Sequence, residues 1–123
     1  MSLSVRNVIA WILQILLAIL FIKSGFGKLS NLPGTMKFFS GMGLPGWMAY
    51  IIGGAELLGG IGLLIPQTVR AAALGLVLVM IGALVMHATK IPGGIGGGVF
   101  AGALLLGLLI VLWLRWPARR RLV

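Results

Sequence analysis

Acidic side chains are almost missing from this chain: Glu56 is the only one among 123 residues, set against ten lysines and arginines. Cysteine is absent, which removes disulfides, thiolate metal ligands and thiol redox chemistry. A single histidine cannot hold a haem between two imidazoles, and with one carboxylate it falls short of the two-histidine, one-carboxylate triad of nonhaem iron sites, so no metal is expected. Neither a phosphate-cradling motif nor a nucleophile–base arrangement is present. Charged residues make up 9% of the sequence where soluble domains carry about 25%, too few to cover a water-facing surface.

What remains is written for lipid. Hydrophobic residues reach 60% and the mean hydropathy is +1.17. Four apolar stretches of about 20 residues each match a hydrocarbon core roughly 30 Å thick. Backbone groups in lipid must pair internally, and the spans are too long and unbroken for barrel strands, so helices are expected. The expected fold is all-α: one integral membrane four-helix bundle over residues 1–123 with short loops, its helices at about 8–28, 47–65, 69–89 and 95–114. The first stretch runs longer than a secretory signal and continues into Lys23-Ser24-Gly25-Phe26-Gly27-Lys28, so it reads as a retained helix.

A net charge of +9 would suggest nucleic acid for a soluble protein, but here the basic residues fall at the ends of apolar spans, and the bilayer is the expected partner instead. Four spans put both termini on one side, with Arg6, Arg70, Arg115, Arg119, Arg120 and Arg121; Lys28, Lys37, Lys90 and Lys23 fall toward the other. Positive-inside counting then places both termini in the cytoplasm of a multi-pass inner-membrane protein. Arg70, Trp113, Arg115, Trp116, Arg119, Arg120 and Arg121 are expected as membrane-interface anchors, and the basic tail suits anionic headgroups.

Pro33-Gly34 and Pro45-Gly46 bracket the first loop, whose Met36-Lys37-Phe38-Phe39 core is a candidate short helix lying in the interface; Pro66-Gln67 and Pro92-Gly93-Gly94 mark the other turns. The glycines concentrate where helices would touch. Gly94, Gly98 and Gly102 repeat every four residues, Gly75 and Gly82 lie seven apart, and Gly53 and Gly60 share a face with Glu56. Such spacing lets backbones approach closely, within one bundle or against another membrane subunit or a second copy.

Glu56 lies about 15 Å from each end of its expected helix at 1.5 Å rise per residue. An ionised carboxylate at that depth costs about 2.5–3.5 kcal/mol on insertion scales, so it must be neutral, paired or beside water. Lys28 and Lys23, toward the outer end of the first helix, are the candidate partners, because a long aliphatic stem can reach inward. They stand about 140° apart around the helix and cannot both face Glu56 closely; otherwise they extend to the interface. His87, near the end of the third helix, would complete a proton path if it opened toward the same cavity, and otherwise touches water or a loop carbonyl. The methionines read as packing and lipid contacts.

Gly25-Phe-Gly-Lys28-Leu29, Gly43-Leu-Pro45, Glu56-Leu-Leu-Gly-Gly60, Arg70-Ala-Ala and Gly82-Ala-Leu-Val-Met-His87 together resemble the DoxX-like family of small bacterial membrane proteins, in order and spacing over nearly the whole chain. The resemblance implies a four-helix membrane protein, and an association, through a founding member, with a thiosulfate:quinone oxidoreductase or terminal quinol oxidase complex. By position it makes Lys28, Glu56, Arg70 and His87 the motif residues; Lys23 is outside the pattern and rests on the physical argument alone. Three functional readings follow. The chain is an accessory subunit of a quinone-linked complex, with quinone or quinol as its noncovalent cofactor and no complete enzyme activity alone; or a non-redox structural or assembly subunit; or a small proton-coupled transporter using Glu56.

Overall fold

The computed structural model describes residues 2–89 and 98–122, with side chains through Trp116. Its helices are α1 (Leu3–Ser30), α2 (Leu32–Gly41), α3 (Met48–Gly62), α4 (Val69–Thr89) and α5 (Val99–Leu122), and the described residues hold no strand. The all-α membrane bundle is as expected, with α1, α4 and α5 long, α3 shorter, and the short α2 added.

The boundaries differ from the apolar stretches where hydrogen bonding and hydropathy part company. α1 starts at Leu3 rather than residue 8, because Ser2 caps it by accepting from the Val5 amide, and a capped turn needs no apolar side chains. α2 extends the expected interfacial segment in both directions. Pro33 sits in its first turn, where a missing N–H costs nothing, and Gly43 ends it at φ +83°. The Leu44 amide donates to the Phe39 carbonyl and the Gly43 amide to that of Ser40, a Schellman closure in which glycine supplies the left-handed residue.

The expected second span, 47–65, is shorter than it looked. Pro66 cannot continue a helix, and the residues before it close as tight turns, with Leu64 donating to Ile61 and Ile65 to Gly62. α3 is therefore 15 residues, about 22 Å, where α4 fills 69–89 as expected. α5 begins at Val99 among the described residues and runs on past 114 to Leu122; positions 95–97 of the expected fourth span, with Lys90, Pro92 and Gly94, lie outside them. Three helices have the length and apolar character to cross a membrane, and α3 is a shorter apolar fourth.

The long helices pack in a ring, α1 on α3, α3 on α4, α4 on α5 and α5 back on α1, while α2 rests on α3 and α1. The start of α1 lies beside α5, since Arg6 reaches main-chain carbonyls of α5 at Trp113 and Leu114. Phe21, Leu63, Leu76, Leu108 and Val111 fill the interior. Large apolar residues cover the outside: Leu78 is 71% exposed and Leu58 69%. Such a surface would associate in water, but in lipid it is the ordinary outer face of a bundle.

Glycines set the closest approach. A Cβ at Gly25 would collide with the Leu57 amide nitrogen and the Gly53 carbonyl oxygen, and one at Gly60 with Ile22 and the Ala18 carbonyl. Gly53 in turn sits under Leu29 and Lys28, so the α1·α3 seam is drawn to near backbone contact. Gly98 fits against His87 and Leu84, and Gly102 lies at ordinary contact distance from Leu84. Gly75 and Gly82 do not set a contact within the bundle: no described residue lies within 4 Å of where their Cβ atoms would stand. The inward face of α4 is instead Ala73, Leu76 and Met80, and its two glycines point away.

Candidate functional site

The α1·α3 seam places the site. Ser24 and Lys28 are one turn apart on α1, and Glu56 lies between Gly53 and Gly60 on the facing side of α3. With no side chain at Gly25 and Gly53, α3 comes close enough for direct contact. The Lys28 ammonium is 2.6 Å from Glu56 Oε1. Ser24 Oγ donates to the same oxygen at 3.1 Å and accepts from Lys28 Nζ at 2.8 Å, which closes a triangle. Glu56 is 3% exposed and the Lys28 side chain 29%. A carboxylate so deeply buried is tolerable only with this compensation, since an unpaired one would be strongly disfavoured in an apolar bundle.

The lysine end of the triangle opens on a shallow depression of about 430 Å³ lined by Leu20, Lys23, Ser24, Gly27, Lys28, Thr35 and Phe100. It thus collects α1, α2 and α5. Thr35 fixes its rim, sharing its hydroxyl hydrogen between the Lys28 carbonyl near the end of α1 and the Asn31 carbonyl, which also accepts from the Thr35 amide. Lys23 is exposed and joins the depression without making an ion pair or hydrogen bond to Glu56, consistent with its angular offset from Lys28.

His87 does not join the carboxylate. Its Nδ1 lies 2.9 Å from the Ala83 carbonyl, and because a carbonyl only accepts, Nδ1 is the protonated ring nitrogen. The ring is turned along its own helix, with its Cβ against Gly98 on the α4·α5 side. The expected proton path from His87 to Glu56 is not formed.

At the other end of the bundle lies a second polar cluster that the sequence reading missed. Gln14 is fully buried; its Nε2 donates to the Leu63 carbonyl at 2.7 Å, capping the end of α3, and its Oε1 accepts from Arg115 Nε at 2.6 Å. Arg115 also donates to Asn7 Oδ1 at 2.8 Å. Arg115, expected as an interface anchor, makes both bonds across the α1·α5 contact. Arg70 stacks over the Trp116 ring at 3.7 Å and Arg6 over Trp113 at 4.9 Å. The side chains of Arg119, Arg120 and Arg121 lie outside the described residues. A signal for this cluster was present: Asn7, Gln14 and Lys28 fall on a seven-residue repeat, and so on one stripe of α1. Ser24 was also missed, one turn from Lys28.

Fold and site together define a small polytopic membrane protein built around one buried carboxylate, held by a lysine and a serine across a glycine-tight seam. The family model for DoxX matches residues 9–89, nearly all of α1 through the end of α4, and the chain belongs to the DoxX family. It is similar to "Putative oxidoreductase CatD" of Bacillus subtilis (strain 168), with 34% identity over 81 residues, 66% of this chain and 60% of that protein. It is also similar to "Inner membrane protein YqjF" of Escherichia coli (strain K12), with 38% identity over 61 residues, 50% of this chain and 47% of the relative. The matched stretches thus span about half the length of these relatives. No solved structure matches the chain.

Proposed function

We propose that this chain is an accessory subunit of a quinone-linked oxidoreductase complex in the bacterial inner membrane, with both termini cytoplasmic. The observation that carries the reading is the Lys28–Ser24–Glu56 triangle beside an open depression: proton-bearing groups set among apolar helices. A quinone, when bound, supplies two-electron, two-proton chemistry. The residues present fit its ring and tail in kind, since Lys23 and Lys28 are donors suited to carbonyl oxygens while Leu20, Gly27 and Phe100 offer apolar surface. Membership of the DoxX family and the oxidoreductase and inner-membrane names of the two relatives support the same direction. The chain has no cysteine and its described residues hold no cluster of three or more metal-ligating side chains, so electrons would come from a partner subunit or a bound organic cofactor.

Native mass spectrometry after gentle extraction from the host membrane tests this, with lipid-soluble cofactors identified in the same sample. A stoichiometric partner carrying flavin, haem or iron–sulfur, or a retained quinone, is the expected result. Release of the chain alone with bulk lipid would overturn it, as would a Glu56→Ala variant with unaltered stability, partner association and quinone binding.

A non-redox assembly subunit is the second reading, favoured by an open groove of about 520 Å³ between α3 and α4 whose lining includes Ala55, Gly59, Ala71 and Gly75, small enough to admit a partner helix. A stoichiometric partner without any redox group would select it. A proton-coupled transporter ranks third, because it would have to break the Lys28–Glu56 pair in each cycle.

A further inference from the structure

Arg6 and Arg115, where the start of α1 meets α5, are hydrogen-bonded to uncharged acceptors. Arg6 donates from Nε to the Leu114 carbonyl at 2.9 Å and from Nη2 to the Trp113 carbonyl at 2.8 Å. Arg115 donates to two amide oxygens, those of Gln14 and Asn7. All four acceptors are uncharged, so these bonds orient the guanidiniums and leave their charge in place. No acidic side chain can balance it: the sequence has only Glu56, and that is paired with Lys28, whose α1 position is about 20 Å from Gln14. The orientation is built in, because Gln14 is fully buried and its other end is fixed to the Leu63 carbonyl. Exposed Trp113 and Trp116, each with a guanidinium over its ring, put the cluster at the depth where indoles mark the membrane–water boundary.

We propose that this corner of α1 and α5, with Arg6 and Arg115 as its charged groups and Trp113 as its apolar wall, is a binding site for the phosphodiester of an anionic phospholipid. A headgroup phosphate matches guanidinium donors in charge and geometry, and its acyl chains would run along the apolar outer face below Trp113. The site is independent of the redox reading. Arg6, Asn7, Trp113 and Arg115 all lie outside residues 9–89, which match the family model.

The test is native mass spectrometry of the full chain in a neutral detergent, titrated with phosphatidylglycerol, with phosphatidylcholine of the same acyl chains, and with inorganic phosphate. The wild-type chain should retain phosphatidylglycerol with about a tenfold preference over phosphatidylcholine. An R6Q/R115Q double variant should lose that preference, while K37Q, which removes an exposed charge on α2, should keep it. Equal retention of the two lipids, or an undiminished preference in the double variant, would overturn the proposal. An equal loss in K37Q would reduce the effect to overall charge, and displacement of the lipid by millimolar inorganic phosphate would assign the site to a free anion. Should the double variant fail to fold, R6Q and R115K serve singly: a preference reduced to about threefold is expected, and an unchanged one in both is the overturning result.

Discussion

The two polar clusters of this bundle share one stripe of α1 and solve opposite problems. At one end Glu56 needs a counter-charge, and Lys28 and Ser24 bring it to near neutrality inside a seam that glycines hold closed. At the other, Arg115 and Arg6 keep their charge, held by amide and main-chain oxygens at a wetter end of the helices. Burial decides the difference: deep in the apolar bundle an ion must be paired, whereas at the interface the surroundings supply the compensation.

The comparison can be broken most forcefully at the seam. Gly25→Val would drive a side chain into the α3 backbone and is expected to destabilise by about 3 kcal/mol, the upper end of overpacking costs, or to prevent assembly, as read by unfolding in mixed micelles. Lys28→Met leaves Glu56 buried without its partner. We expect a loss of about 2 kcal/mol, less than the 3–5 typical of fully buried pairs because Lys28 retains partial exposure. In a double-mutant cycle, adding Glu56→Gln should recover part of that loss; strict additivity would mean the pair is not coupled. Gln14→Leu strips the cap from α3 and an acceptor from Arg115, for about 1 kcal/mol in the same assay. Smallest of all, Gly75→Ala meets open space and should change stability by no more than about 0.5 kcal/mol, and in the stabilising direction through helix propensity; a large loss would show that α4 has a neighbour on that face.

How far the sequence could be read depended on what kind of signal each feature leaves. α4 was legible to the residue because Pro66 and the apolar run bound it. α1 was legible in its lipid-crossing part but not at its start, since hydropathy does not register the Ser2 cap. Glycine spacing identified Gly53 and Gly60, yet gave Gly75 and Gly82 the same weight, because period fixes a face and not what that face meets. Gly25, which comes nearest to the α3 backbone, was quoted only as part of a motif. For the site, a lone acid among lysines was conspicuous, and Lys28 could be separated from Lys23 only as far as their angular offset allowed. Neutral Gln14, Asn7 and Ser24 carried no charge to draw attention, although their positions on α1 were there to be counted.

The shortness of α3 has a consequence for the surrounding bilayer. At about 22 Å it falls well below a hydrocarbon thickness of roughly 30 Å, while α1 and α4 exceed it. Local thinning of the bilayer is one way to accommodate so short a helix, and it would draw headgroups and water toward the helix that carries the only acidic side chain of the chain. Acyl-chain length then becomes a variable in the chemistry of Glu56: longer lipids raise the elastic cost at α3, and shorter ones relieve it.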